Sequence, residues 1–207
     1  MSKTFFDIGL SLDGFIAGEN RSPKNPMGGQ APAIHNWMFI QKAFWEHLHT
    51  TGGEKDDQDG DLIRNVFART GAYVMGKRMF DEGEASWPEG LFKAPVYVLT
   101  HEKRQPWVQK DNTTFYFVND GMESAYAKAK ASAGNKDIRI QGGADCIRQY
   151  LNAGYIDEFT LHIAPSLLSS GIRFFDGVDK TKFSFNIINT IQSPAVTHIT
   201  YAVTNHR

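Results

Sequence analysis

A single cysteine, Cys146, in a chain of 207 residues excludes an intramolecular disulfide and leaves no companion thiols for a structural zinc site. The seven histidines show no tight ligand spacing of the His-Glu-x-x-His kind, so no metal is expected. No run approaches the roughly 20 apolar residues that a membrane-crossing helix needs. Met1-Ser2-Lys3-Thr4 leads directly into a strand pattern without an apolar signal core, so a cytoplasmic protein is expected. Neither sign of charge dominates: 22 Lys and Arg face 23 Asp and Glu, a formal net charge of -1. That balance excludes a general electrostatic grip on nucleic acid or on an anionic membrane. Hydrophobic residues at 41% and charged residues at 22% are ordinary for a globular chain and predict a packed core rather than disorder. No linker or internal repeat divides the sequence, and one domain over residues 1–207 is expected.

From Phe5 to Asp13 the chain alternates strictly. Phe6, Ile8, Leu10 and Leu12 share one face, which belongs to a core; Asp7, Gly9, Ser11 and Asp13 share the other. That second face is small and polar, with room for something other than protein beside it, and Asp13-Gly14 signals a turn. The Gly-, Pro- and Asn-rich stretch from Glu19 to Pro32 is long for a connection and reads as a lid or binding loop. Ile34, Trp37, Met38, Gln41, Phe44, Trp45 and Leu48 predict one amphipathic helix over 34–49, with core packing as the first use of its aromatic stripe. The acidic run Glu54 to Asp61 does not fit an EF-hand loop and reads as a solvated loop and helix N-cap.

Strands then alternate with helices. Ala72–Met75, Pro95–Leu99, Thr113–Val118 and Asp137–Ile140 read as short buried strands. Asp120 with Glu123 resembles a capping box, and Gly134 and Gly154 end helices. The segments Ile156–Ala164, Lys182–Ile191 and Val196–Thr204 read as strands without helices between them. The expected architecture is a single-domain, three-layer α/β/α fold around a mixed, largely parallel central sheet.

Two strands end in glycine turns that open helices, Met75-Gly76-Lys77-Arg78 and Ile140-Gln141-Gly142-Gly143-Ala144-Asp145. Free N–H groups and the positive dipole end at such a turn suit phosphate, and glycine lets it approach. Neither turn matches G-x-G-x-x-G, so tight turning at a helix entrance is the alternative. Lys77, Arg78, Lys103 and Arg104 follow strand ends, where open α/β sheets bind ligands; a basic rim there suits NADPH over NADH, and solvated loop charges are the plainer reading.

Four stretches carry a resemblance: Ser11-Leu12-Asp13-Gly14-Phe15-Ile16-Ala17, Val74-Met75-Gly76-Lys77-Arg78-Met79-Phe80, Pro95-Val96-Tyr97-Val98-Leu99-Thr100-His101, and Gln141-Gly142-Gly143 with Ala153-Gly154-Tyr155-Ile156-Asp157-Glu158. In this order they resemble the dihydrofolate-reductase-like family that includes the reductase domain of bacterial riboflavin biosynthesis, the RibD C-terminal type. The resemblance implies NADPH held along the sheet rim. Gly76, Lys77, Arg78 and Met79, with Thr100, His101 and Lys103, would hold the adenosine phosphates; Gly142, Gly143, Ala144 and Asp145 would lie against the pyrophosphate, with a cis Gly142–Gly143 peptide. Ser11, Asp13, Gly14, Ile16 and Ala17 would fall at the nicotinamide end. Asp13 is the candidate catalytic group there, with an Asp-Gly turn residue as the alternative. Trp37 and Trp87 are candidate walls for an aromatic substrate.

This chain departs from the riboflavin-pathway pattern at Asp7, near a family Lys, and at Gln141, where the family has Glu. Folate reductases place an acid on the first helix, where only Glu46 is available. The expected function is therefore NADPH-dependent reduction of a small heteroaromatic, pterin- or pyrimidine-like, or carbonyl compound; a non-catalytic NADPH-binding or redox-sensing module is the alternative. A homodimer is expected, because the strand-rich tail leaves edges to cover.

Overall fold

A computed structural model describes residues 2–29, 31–111 and 113–206. The chain enters as β1 (Thr4–Ser11), turns into the short β2 (Phe15–Ala17), and crosses the long loop to a 3-10 turn (Ala31–His35), α1 (Asn36–Phe39) and α2 (Lys42–His47). It continues through α3 (Gln58–Arg69), β3 (Thr70–Gly76), α4 (Lys77–Gly83), β4 (Val96–Leu99), β5 (Trp107–Val108), β6 (Thr114–Val118), α5 (Met122–Ala133), β7 (Asp137–Gly142) and α6 (Ala144–Asn152). The tail supplies β8 (Glu158–Ala164), β9 (Ile172–Arg173), β10 (Phe183–Gln192) and β11 (Thr197–Asn205).

Nine strands form one sheet in the order β10-β11-β8-β1-β7-β3-β4-β6-β5. Its centre, from β8 to β6, is parallel, and β11, β10 and β5 add antiparallel pairs at the edges. Parallel strands buried on both faces need helices on both. On one face, Ala125, Ala129 and Ala133 of α5 and Ile147, Tyr150 and Leu151 of α6 pack on Phe6, Leu10, Val74 and Ile140. The other face holds Phe80 of α4 with Tyr73, Met75, Val98 and Phe115, and beyond it a cluster built from α1, α2 and α3. The mixed α/β architecture expected from the alternation is thus present. Among the described residues no helix is long and apolar enough to cross a membrane.

Three local expectations are corrected. The single helix over 34–49 is three pieces, because Gln41 is extended (φ -87°, ψ 131°) and pairs with Lys55 while its buried amide donates to Asp57 Oδ1 at 2.9 Å. Leu12 is 63% exposed rather than in the core: β1 ends at Ser11, and the turn closed by Gly14 N–H donating to Ser11 O takes Leu12 out of the alternation. Gly121, at φ 105°, caps α5 with no side-chain cap bond, and Asp120 accepts instead from Lys128 Nζ at 3.2 Å.

Candidate active site

At the carboxyl rim of the sheet, β3, β4 and β7 carry Gly76-Lys77-Arg78, Thr100-His101 and Gly143 to one cleft of about 840 Å³. The two glycine turns lie against each other: a Cβ on Gly76 would sit 3.3 Å from Cys146 Cβ and 3.8 Å from both Gly142 O and Gly143 N. The Gly142–Gly143 peptide is cis. Gly142 has φ 129°, a conformation that side chains rarely adopt, and no protein atom lies within 4 Å of where a Cβ on Gly143 would be. Gly143 starts α6 without a side-chain cap, so free N–H groups of the first helical turn face that open space.

Five cations line the cleft, Arg21, Lys77, Arg78, Arg148 and Arg173, against three carboxylates, Glu102, Asp145 and Asp176. Lys77 is already held by Asp81 at 2.6 Å and Glu102 at 3.2 Å, and their hydrogen bonds, against a smaller desolvation cost, raise its pKa. Arg78 is freer: its side chain is 67% exposed, with Glu82 at 3.4 Å. Arg148 donates from one terminal nitrogen to Asp176 O at 2.7 Å, while its buried Nε has no partner among the described residues. An uncapped helix start, a glycine opening and an unpaired guanidinium N–H together fit the pyrophosphate of a dinucleotide.

The cleft continues, past Arg21, Met79, Gly143 and Ala144, into a second cavity of about 430 Å³. Asp7 and Gly9 on the polar face of β1 form its floor, with Trp37, Trp87, Phe39 and Gln141 among its walls. Gly9 is needed at this point, since a Cβ there would lie 2.9 Å from His35 Cε1. Burial pushes His35 down to about 4. Asp7 accepts two bonds from Arg139, at 2.6 and 2.8 Å, and faces His162 Nε2 at 3.3 Å. Burial opposes ionisation of Asp7, but Arg139 and then His162 outweigh it and hold the carboxyl far below its ordinary range. The Arg21 loop is ordered as well. Gly18 N–H donates to Met27 O at 2.9 Å, and Arg21 pairs with Glu82 of α4.

The residues expected from the sequence divide in two groups. Gly76, Lys77, Arg78, Met79, Thr100, His101, Gly143, Ala144 and Asp145 meet in the cleft; Ile16, Ala17, Trp37, Trp87 and Gly142 line the inner cavity. Lys103 lines neither, and Arg104 is paired with Glu84 over the rings of Phe80 and Phe117. Ser11 and Asp13 also lie outside both. Asp13 accepts from the Ser11 hydroxyl at 2.6 Å and from the N–H groups of Leu168 at 3.1 Å and Ser169 at 2.7 Å. This geometry gives Asp13 the part of a turn residue that holds the loop after β8. Arg21, Arg148, Arg173, Arg139 and His162 went unnoticed in the sequence. Only Arg139 carries a usable signal, as the cation at the centre of the polar face of β7, between Asp137 and Gln141.

A model of the RibD C-terminal domain family matches residues 3–197. YyaP of Bacillus subtilis (strain 168) is 37% identical over 193 residues, covering 91% of this chain and 87% of YyaP. A putative riboflavin biosynthesis protein from Shewanella sp. PV-4 has a similar structure, with TM-score 0.68, 22% identity, and coverage of 98% and 99% of the two chains. Dihydrofolate reductase from Enterococcus faecalis, solved in complex with NADP(H), shares the fold at TM-score 0.56 and 12% identity, over 97% of this chain and 96% of its own. By its sequence match along almost the whole length and by its fold, the chain belongs to the RibD C-terminal domain family.

Proposed function

We propose that the chain is an NADPH-dependent reductase of a small heteroaromatic compound, pterin- or pyrimidine-like. The observation that carries this reading is the continuity of the phosphate-suited cleft, at Gly143 and Ala144, with a cavity lined by aromatic and polar side chains. When bound, NADPH would supply a hydride to a compound in that cavity. The chain's own residues bind, orient and exclude water. Gly143 and the start of α6 receive the pyrophosphate, and Arg78, the more exposed cation, meets the ribose phosphate. Trp37 and Trp87 supply flat walls.

Two buried groups favour a ring with donor and acceptor edges over a plain carbonyl compound. Among the described residues, Trp37 Nε1 and Gln141 Oε1 have no hydrogen-bond partner. An unmet buried donor or acceptor costs about 1–3 kcal/mol, which a lactam- or amidine-like edge would recover. Where riboflavin-pathway reductases place a Lys, this chain has Asp7, and the cation comes from Arg139 on the neighbouring strand β7. That rearrangement argues for a different substrate within the same class of reaction.

The test is to titrate NADPH into the protein by calorimetry and to follow NADPH absorbance with a panel of pterins, pyrimidines, quinones and aldehydes. Binding, with oxidation on addition of a pterin or pyrimidine, is expected. Arg78→Ala should weaken NADPH roughly tenfold more than NADH, the loss of one charge-assisted contact. No uptake of NADPH would sink the reading, and uptake without turnover of any compound would favour a binding module.

A further inference from the structure

Behind the inner cavity, four buried side chains form a row. His162 Nε2 faces Asp7 Oδ2 at 3.3 Å; His162 Nδ1 faces His198 Nδ1 at 2.6 Å; His198 Nε2 faces Asp59 Oδ1 at 3.2 Å. The two histidines sit directly opposite each other on β8 and β11, and Asp59 comes from the first turn of α3. Asp59, His162 and His198 are each no more than 3% exposed.

Three hydrogen bonds in a row require three protons, one in each gap. Two neutral imidazoles own only two, and an ionised carboxylate brings none. With two protons, one gap is left with lone pair facing lone pair, which is unfavourable at 2.6 Å between nitrogens and nearly so against a carboxylate. One additional proton closes all three gaps. It also balances the charge: with it, Arg139 and the histidine pair carry two positive charges against Asp7 and Asp59, and the buried cluster is neutral. A second additional proton would leave the cluster cationic. Burial first, and then the neighbouring His162, push His198 down to about 4 against the pull of Asp59, so a second extra proton on the pair is disfavoured. Two further titratable rings face the row: His35, which burial pushes down to about 4, and Tyr73, whose hydroxyl burial raises against the pull of Arg139. Trp37 packs its indole against both imidazoles, with centroids 4.9 and 4.7 Å away, a placement that favours a shared positive charge.

His162 belongs to the row and also lines the inner cavity. We propose that the His162–His198 pair is the proton store of this site, with His162 as the catalytic acid and His198 and Asp59 as positioning residues. The proposal rests on the reductase reading above. When a C=N or C=O bond in the cavity gains a hydride at carbon from NADPH, the electron pair of the broken π bond goes to the nitrogen or oxygen. That atom takes the Nε2 proton of His162, which is held only by the long bond to Asp7. The pair is left as two neutral rings, with His162 Nδ1–H donating to His198 Nδ1 and His198 Nε2–H to Asp59. One proton from water then restores the store.

The store is read without substrate. In full-length protein labelled with 15N-histidine, NMR of the ring nitrogens at pH 7 should show three N–H protons on the four nitrogens of the pair, one of them far downfield in the N–H···N gap. His198→Gln should abolish that signal. The count should stay at three as the pH falls to about 5 and change only near the low value set for His198. Two protons at pH 7 would overturn the proposal, even with NADPH binding intact. Three protons without NADPH binding would instead sink the reductase reading and, with it, the delivery step. On a panel compound that turns over, His162→Gln should lower kcat about a hundredfold or more and remove the high-pH limb of the profile, where the loaded pair would give up its extra proton; an unchanged kcat would overturn the role of His162.

Discussion

At the scale of single residues, chemistry was assigned to one carboxylate and structure gives the buried position to another. Alternation in the sequence puts Asp7 and Asp13 on one polar face, six residues apart, but β1 ends at Ser11 and Asp13 lies in the turn that follows. The Ser11 hydroxyl first, and then the N–H groups of Leu168 and Ser169, outweigh desolvation and hold Asp13 down to about 2. A carboxyl with a depressed folded pKa stabilises the fold above its unfolded value of about 3.8, and that contribution disappears as the pH falls through the folded value. Asp13→Asn should therefore lower Tm at pH 6 and narrow the gap to wild type between pH 4 and pH 2, as thermal melts over that range would show. Turnover of the folded variant should match wild type. A variant that melts normally but turns over slowly would return Asp13 to the chemistry. The same strand shows how far alternation is informative: it marked Asp7 and Gly9 as a polar, roomy face, but gave no means of ranking Asp7 over Asp13, because their partners come from distant strands and loops.

At the scale of elements, the glycine turns were legible and their joint use was partly so. Sequence spacing places Gly76 and Gly143 at helix entrances. Their close approach depends on β3 and β7 being sheet neighbours. At Gly143 the backbone has φ -68°, which alanine adopts readily, and the added carbon would meet no protein atom. Gly143→Ala should therefore fold and melt like wild type while losing affinity for NADPH, measured by calorimetry; unchanged affinity would move the pyrophosphate away from this turn. The predicted long helix failed for a reason of the same scale. Periodicity sees the apolar stripe through Gln41, but not the pairing of Gln41 with Lys55 that interrupts the helix.

At the scale of the whole molecule, β10 is the exposed end of the sheet. Around its irregular pairing between Ile187 and Asn189, Ile187 is 62% and Ile188 54% exposed. An apolar edge of this kind is open to pairing with another chain, and the dimer we propose would cover it. Light scattering on wild-type protein should give the mass of a dimer, and the double change Ile187→Lys, Ile188→Lys should give a monomer with an unchanged melting temperature. A monomeric wild type would remove the proposal.

Local order was written in the sequence alone: the alternation of β1, the glycine turns and the strand–helix rhythm each depend on neighbours a few residues away. The cleft and the row of buried acids and histidines were decided by the fold. Asp7, Asp59, His162 and His198 come from four separate elements, and only strand order and register bring them within hydrogen-bonding distance. A histidine in an alternating strand looks the same whether it faces solvent, a core or another histidine. Its proton is assigned by what lies across the sheet, and that is fixed only when the sheet closes.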